Sequence, residues 1–80
     1  MSSADRLLSF EGHRLHVWKF YSGGIGVAYD GADVQDGGFL IGEFGAGNTF
    51  EEACNDYLKK ISGKTLVFGY GENRKKVTIL

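Results

Sequence analysis

The sequence predicts an α+β domain: an antiparallel sheet of five to six strands, in the order β-β-β-β-α-β-β, with one helix packed on one face. Three observations predict it. Thirteen glycines and no proline punctuate 80 residues at short intervals, the rhythm of a meandering sheet whose turns need a residue that reaches positive φ. A run rich in β-branched and aromatic residues, Arg14 to Tyr29, is broken once by Ser22-Gly23-Gly24 and reads as a hairpin. Thr49-Phe-Glu-Glu52 is a capping box that opens a single amphipathic stretch.

Taken in order, residues 1–5 read as a flexible lead and Leu7 to Phe10 as a short first strand turned by Glu11-Gly12-His13. Arg14 to Tyr21 and Ile25 to Tyr29 are the arms of the hairpin. With a two-residue turn, paired positions sum to an odd number, so even positions on one arm share a face with odd positions on the other. One face then collects His16, Trp18, Phe20, Ile25, Val27 and Tyr29, and the other Val17, Lys19, Tyr21, Gly24, Gly26 and Ala28. The bulky face is the one a half-buried sheet turns inward, which places Trp18 in the core. Asp30 to Gly38 reads as a polar loop, Phe39 to Phe44 as a strand, and Gly45 to Asn48 as its end. The helix is predicted over about residues 50–62. Phe50, Ala53, Cys54, Tyr57, Leu58 and Ile61 form its apolar stripe, and Glu51, Glu52, Asn55, Asp56, Lys59 and Lys60 lie opposite. Gly63 stops it. Thr65 to Gly69 is a strand, Tyr70 to Asn73 a turn, and Lys75 to Leu80 the last strand.

Size and composition bound the function. Eighty residues make one domain with a thin core. The lone Cys54 cannot close an internal disulfide, and a secreted domain of this size usually carries several. The first residues lack the apolar run of a signal peptide, so a cytoplasmic protein is expected. A formal net charge of −1 gives no global field for nucleic acid or an acidic membrane. Neither direct nucleic-acid binding nor membrane association is expected.

Motif tests return no catalytic or metal constellation. Asp36-Gly37 followed by Glu43 fits the second half of a calcium loop, but Ala32 and Val34 stand where oxygen ligands are required. Gly24-Ile-Gly-Val-Ala-Tyr29 begins like a dinucleotide fingerprint, yet Tyr29 takes the third glycine's place and no helix follows. Gly63-Lys64-Thr65 follows a helix where a phosphate-binding loop opens one. His13 and His16 need further ligands to hold a metal. Cys54 with a histidine base is the one arrangement for a nucleophile, set against a small buried hydrophobe on the helix stripe. No cofactor, metal or catalytic residue is therefore assigned.

Charge is segregated along the chain. From Phe20 to Leu58 there are seven acids, Asp30, Asp33, Asp36, Glu43, Glu51, Glu52 and Asp56, and no lysine or arginine. From Lys59 onward six bases face one acid, Glu72. The seven acids are the predicted partner-binding residues, suited to a basic surface on a protein that handles nucleic acid. Lys64, Arg74, Lys75 and Lys76 are the alternative basic surface.

Two resemblances accompany these residues. Gly47-Asn-Thr-Phe-Glu-Glu-Ala53, after a hairpin and another strand, resembles the strand-to-helix junction of HicB-type antitoxins over roughly residues 15–62, and implies a small toxin as partner. The run from Glu52 to Phe68 is similar to small phage and prophage proteins, and the single-domain, charge-polarised build is similar to small anti-CRISPR inhibitors. That second resemblance implies a non-enzymatic inhibitor in the host cytoplasm. It would act as a monomer or weak dimer and cover a host nucleoprotein defence complex through a charged surface.

Overall fold

Both α-helices among the described residues begin at a hydroxyl. The computed structural model describes residues 2–69 and 71–79. Met1 of the expected lead, Tyr70 of the expected turn and Leu80 of the expected last strand lie outside the described residues. Helix α1 (Ser3–Leu8) starts where the Ser2 side chain accepts from the Asp5 amide, and α2 (Phe50–Ile61) where the Thr49 side chain accepts from the Glu52 amide. The Glu52 carboxylate reaches back as expected of a capping box, but to the amide of Asn48, at 3.4 Å.

Among the described residues there are seven strands, β1 (Leu15–Lys19), β2 (Ile25–Tyr29), β3 (Ala32–Asp36), β4 (Phe39–Ile41), β5 (Gly45–Gly47), β6 (Thr65–Phe68) and β7 (Lys75–Thr78), and one 3-10 turn, Gly71–Asn73. The class is α+β and all pairing is antiparallel. The strands form two sheets, however, where one was expected: β1-β2-β5 and β4-β3-β6-β7. The chain changes sheet three times, the last time through α2, between β5 and β6. It turns out of β2 at Gly31, whose φ of +73° only glycine adopts freely, and returns between β4 and β5.

Four expectations are corrected. Gly45–Gly47, expected as the end of the preceding strand, is a strand of its own, β5, in the other sheet. Ser3–Leu8, expected to be divided between a flexible lead and a first strand, form α1, held in place by burial of Ala4 and Leu7. The polar loop contains β3, a central strand of the four-stranded sheet, in which Val34 faces the core and Asp33 and Gln35 face away. The β1–β2 register is also different. Leu15 pairs with Tyr29 and Lys19 with Ile25, and Phe20 and Gly24 extend the ladder, the Phe20 amide donating to the Gly24 carbonyl at 3.1 Å. That leaves Tyr21-Ser22-Gly23 as a three-residue loop. Gly23 and Gly24 at φ of +100° and +95° supply the left-handed step that such a loop requires. Paired positions therefore sum to an even number, and the whole of β2 turns over relative to the expected faces.

The core lies between the sheets and the helices. Val27 and Tyr29 from the first sheet, Val34 and Leu66 from the second, Leu7 from α1 and Ala53, Cys54, Tyr57, Leu58 and Ile61 from α2 form one buried cluster. The predicted helix stripe is therefore the core face, with Phe50 packed at its margin. α2 sits almost on the backbone of β5. A Cβ on Gly45 would stand 2.2 Å from the Ala53 carbonyl oxygen, and one on Gly47 would meet Glu52 at 2.6 Å. Among the described residues no helix is long and apolar enough to cross a membrane.

Candidate functional site

The even register decides which side chains are left on the surface. Val27 and Tyr29 take the core face of β2, so His16 and Trp18 lie on the outer face, opposite Ala28 and Gly26. Trp18 lies flat against the glycine: a Cβ on Gly26 would come within 2.4 Å of the indole. Ring centroids of Trp18 and His16 are 5.3 Å apart and stacked, and those of Trp18, Phe20 and Phe44 are about 6 Å apart at steep angles. Phe44 is 42% exposed, His16 is exposed, and Trp18 and Phe20 are half-buried. Tyr21, at the tip of the adjoining loop, is fully exposed. Trp18 is thus a surface ring of an aromatic face, not the core residue expected from a two-residue turn.

Charged groups border this face. At one end the Asp30 amide donates to the Arg14 carbonyl at 2.8 Å, continuing the ladder by one pair. Along the β5 side, Lys60 lies 5.4 Å from the Phe44 ring centroid, 3.0 Å from Asp56 and 3.9 Å from Glu43.

That side is also a sealed sheet edge. The Asp56 carboxylate accepts from the Ala46 amide at 2.9 Å, and the Lys60 ammonium donates to the Phe44 carbonyl at 2.9 Å. With Glu52 on the Asn48 amide, residues spaced by four on α2 meet residues spaced by two on the strand. The match is metric: four helical residues rise about 6 Å and two strand residues about 6.8 Å. The Ala46 amide first, and Lys60 second, hold the Asp56 carboxyl below its ordinary range.

The seven predicted acids are distributed by these contacts. Asp30, Glu43 and Asp56 reach the border of the aromatic face. Glu52 and Asp56 are bonded along the β5 edge, and Glu51 accepts from the Ser3 amide at 2.9 Å, docking α1 with the help of the Ser3 hydroxyl on Asn55. Asp33 and Asp36 lie on opposite faces of the four-stranded sheet, as residues three apart on one strand must. Asp33 shares a row with Val67 and Lys76, and Val67 is buried between them away from the core. The structure therefore brings three of the seven to one face and does not gather the rest there. Of the basic set, Lys75 and Lys76 alternate on β7. Arg74 and Lys76 border a shallow depression of about 100 Å³ with Gln35 and Leu40. Lys64 sits in the turn after α2, its carbonyl accepting from Ile79.

The remaining chemistry-bearing residues do not converge. Cys54 is fully buried, and burial followed by the Glu51 charge raises its thiol pKa, which disfavours the nucleophilic thiolate. His13 stacks on Phe68 at 4.1 Å beside the core-face ring of Tyr29, whereas His16 lies on the outer face. The sheet separates them. Among the described residues no group of three or more His, Cys, Asp or Glu could hold a metal ion. A cavity of about 370 Å³ opens between α1, the end of α2 and Ile79, lined by Leu7, Phe10, Tyr29, Leu58 and Ile61. Its Tyr29 hydroxyl is engaged, donating to the Leu7 carbonyl at 2.8 Å.

The aromatic face was missing from the sequence reading because it depends on the loop having three residues. A signal for it was present: large His16, Trp18 and Phe20 alternate on one arm, and small Gly24, Gly26 and Ala28 on the other. Large rings lie flat only over small partners, which favours the even register. No protein-family model, curated protein or solved structure matches this chain.

Proposed function

We propose that this domain is a non-catalytic binding module that occludes a surface of a host protein or nucleoprotein complex, with the aromatic face of the three-stranded sheet as its anchor. One observation carries the reading. Four rings, His16, Trp18, Phe20 and Phe44, share the sheet face turned away from the core, and exposed aromatic clusters have the composition of interface hot spots. Asp30, Glu43 and Asp56 at its border, within the acid-only segment, favour a partner whose matching surface is apolar at its centre and basic at its rim. A protein that handles nucleic acid presents such a rim, which is why an inhibitor of a nucleoprotein complex is the class proposed.

The test is affinity capture from the native host with three proteins: wild type, His16→Ala/Phe44→Ala, and Lys75→Glu/Lys76→Glu. Both changed residues of the aromatic variant are exposed, so folding is checked by an unchanged far-UV spectrum. The reading expects a protein captured by wild type and by the lysine variant and lost with the aromatic variant. Retention by the aromatic variant and loss with the lysine variant would move the working surface to the basic hairpin.

A further inference from the structure

The two sheets have four edges, and three are guarded against pairing with another strand. β5 is sealed by Glu52, Asp56 and Lys60 of α2. β7 carries Lys75 and Lys76 directly after Arg74, and β1 is bracketed by Arg14 and Lys19. Cations along an edge discourage a second strand. β4 carries no cation of its own and no helix covers it, although Arg74 and Lys76 line a depression on its Leu40 face. Phe39, Leu40 and Ile41 are 76%, 45% and 43% exposed, and they stand between Gly38 and Gly42. The hairpin register fixes which of its backbone groups are open. Asp36 pairs with Phe39 across the two-residue Gly37-Gly38 turn. Phe39 and Ile41 therefore direct their amides and carbonyls to β3, and Gly38, Leu40 and Gly42 direct theirs outward.

We propose that this edge takes a second copy of itself, antiparallel, about a two-fold axis at Leu40. The segment is its own complement. Leu40 meets Leu40 of the second copy, Gly38 meets Gly42, and Phe39 meets Ile41. Every outward-facing residue gains a hydrogen-bonded partner, and the flanking glycines put no side chain in the way. Phe39 and Ile41 of both copies cluster on one face and the two Leu40 side chains meet on the other, which makes the interface isologous. Charge allows this register: Phe39, Leu40 and Ile41 carry none, and Asp36 lies a strand away on β3, so the pairing sets no two carboxylates against each other. Self-pairing of β7 would crowd four lysines into one ladder. The contact is three residues long, well below a standard interface, so the dimer is weak and forms at high concentration. It uses the sheet that the aromatic face does not, and it stands or falls independently of the proposed function.

Analytical ultracentrifugation of the full chain from micromolar to millimolar concentration tests it. Wild type is expected to rise from the monomer mass toward twice that value. Leu40→Lys and Leu40→Glu, each placing like charges together at the axis, are expected to stay monomeric. An equimolar mixture of the two is expected to recover the dimer, because only a two-fold axis at residue 40 sets lysine against glutamate. Far-UV spectra matching wild type verify that the variants fold, since Leu40 is exposed. Wild type that remains monomeric at millimolar concentration overturns the proposal. So does a Leu40→Lys protein that dimerises like wild type, or a mixture that stays monomeric.

Discussion

Single atoms on α2 complete the backbone pairing of the three-stranded sheet. The odd residues of β2 point their amides toward β5, but β5 ends at Gly45, opposite Val27. The next such amide, that of Tyr29, is buried and donates to the Tyr57 hydroxyl at 3.1 Å. Tyr57 thus combines a core ring with the acceptor the short strand cannot supply. Tyr57→Phe keeps the ring and removes the acceptor, leaving a buried amide unpaired. It is expected to destabilise the fold by about 1–3 kcal/mol in denaturant titration; a change under half of the lower value would mean that the amide finds another partner. The same crowding explains the glycines. Gly45 and Gly47 are required by the closeness of α2, since added Cβ atoms would meet helix backbone. Gly26 makes room for Trp18. In the sequence these glycines are indistinguishable from turn formers such as Gly37, because what each one admits is a neighbour distant along the chain.

At the scale of elements, legibility follows how local the causes are. α2 was readable because its cap, its stripe and its stop at Gly63 all lie within the segment. α1 is only six residues long, too short to be stable alone. Its Ser2 cap was a visible signal, but its existence depends on docking Ala4, Leu7 and Ser3 onto the rest of the chain. β3 holds just two inward apolar residues, Ala32 and Val34, and its strand character comes from the neighbours β4 and β6. The β1–β2 register turned on one residue of loop length, and that one residue exchanged the core for the candidate site. The helix-sealed edge of β5 is an element-scale device of the same non-local kind, and it is testable through pH. The Asp56 carboxyl is held below its ordinary 3.8 by the Ala46 amide and then by Lys60. A depressed carboxyl contributes stability above its unfolded value and loses it as pH falls through the folded one. Asp56→Asn is therefore expected to melt below wild type at neutral pH, with the gap closing as pH drops beneath 3.8. A gap that persists unchanged into acid would show that the carboxylate charge plays no part in the seal.

For the whole molecule, the question is whether two separate sheets make one cooperative unit. They share no strand, yet the buried cluster draws on both, with Val27 and Tyr29 from one and Val34 and Leu66 from the other, joined through α2. Tyr29 ties them further, its ring 6.2 Å from Phe68 of the four-stranded sheet and 5.8 Å from Tyr57. Neither sheet has a second core to fall back on, so loss of either removes the surface the other needs for burial. Trp18 is the only tryptophan and lies on the outer face of the three-stranded sheet, which makes its fluorescence a reporter of that sheet alone. Leu66→Ala, in the other sheet, removes a side chain that is 1% exposed and is expected to cost about 2–5 kcal/mol. If the domain unfolds as one unit, the Trp18 transition shifts by the full amount and stays superimposed on the far-UV transition. If the sheets unfold separately, the Trp18 midpoint holds its wild-type position while the far-UV curve broadens toward lower denaturant.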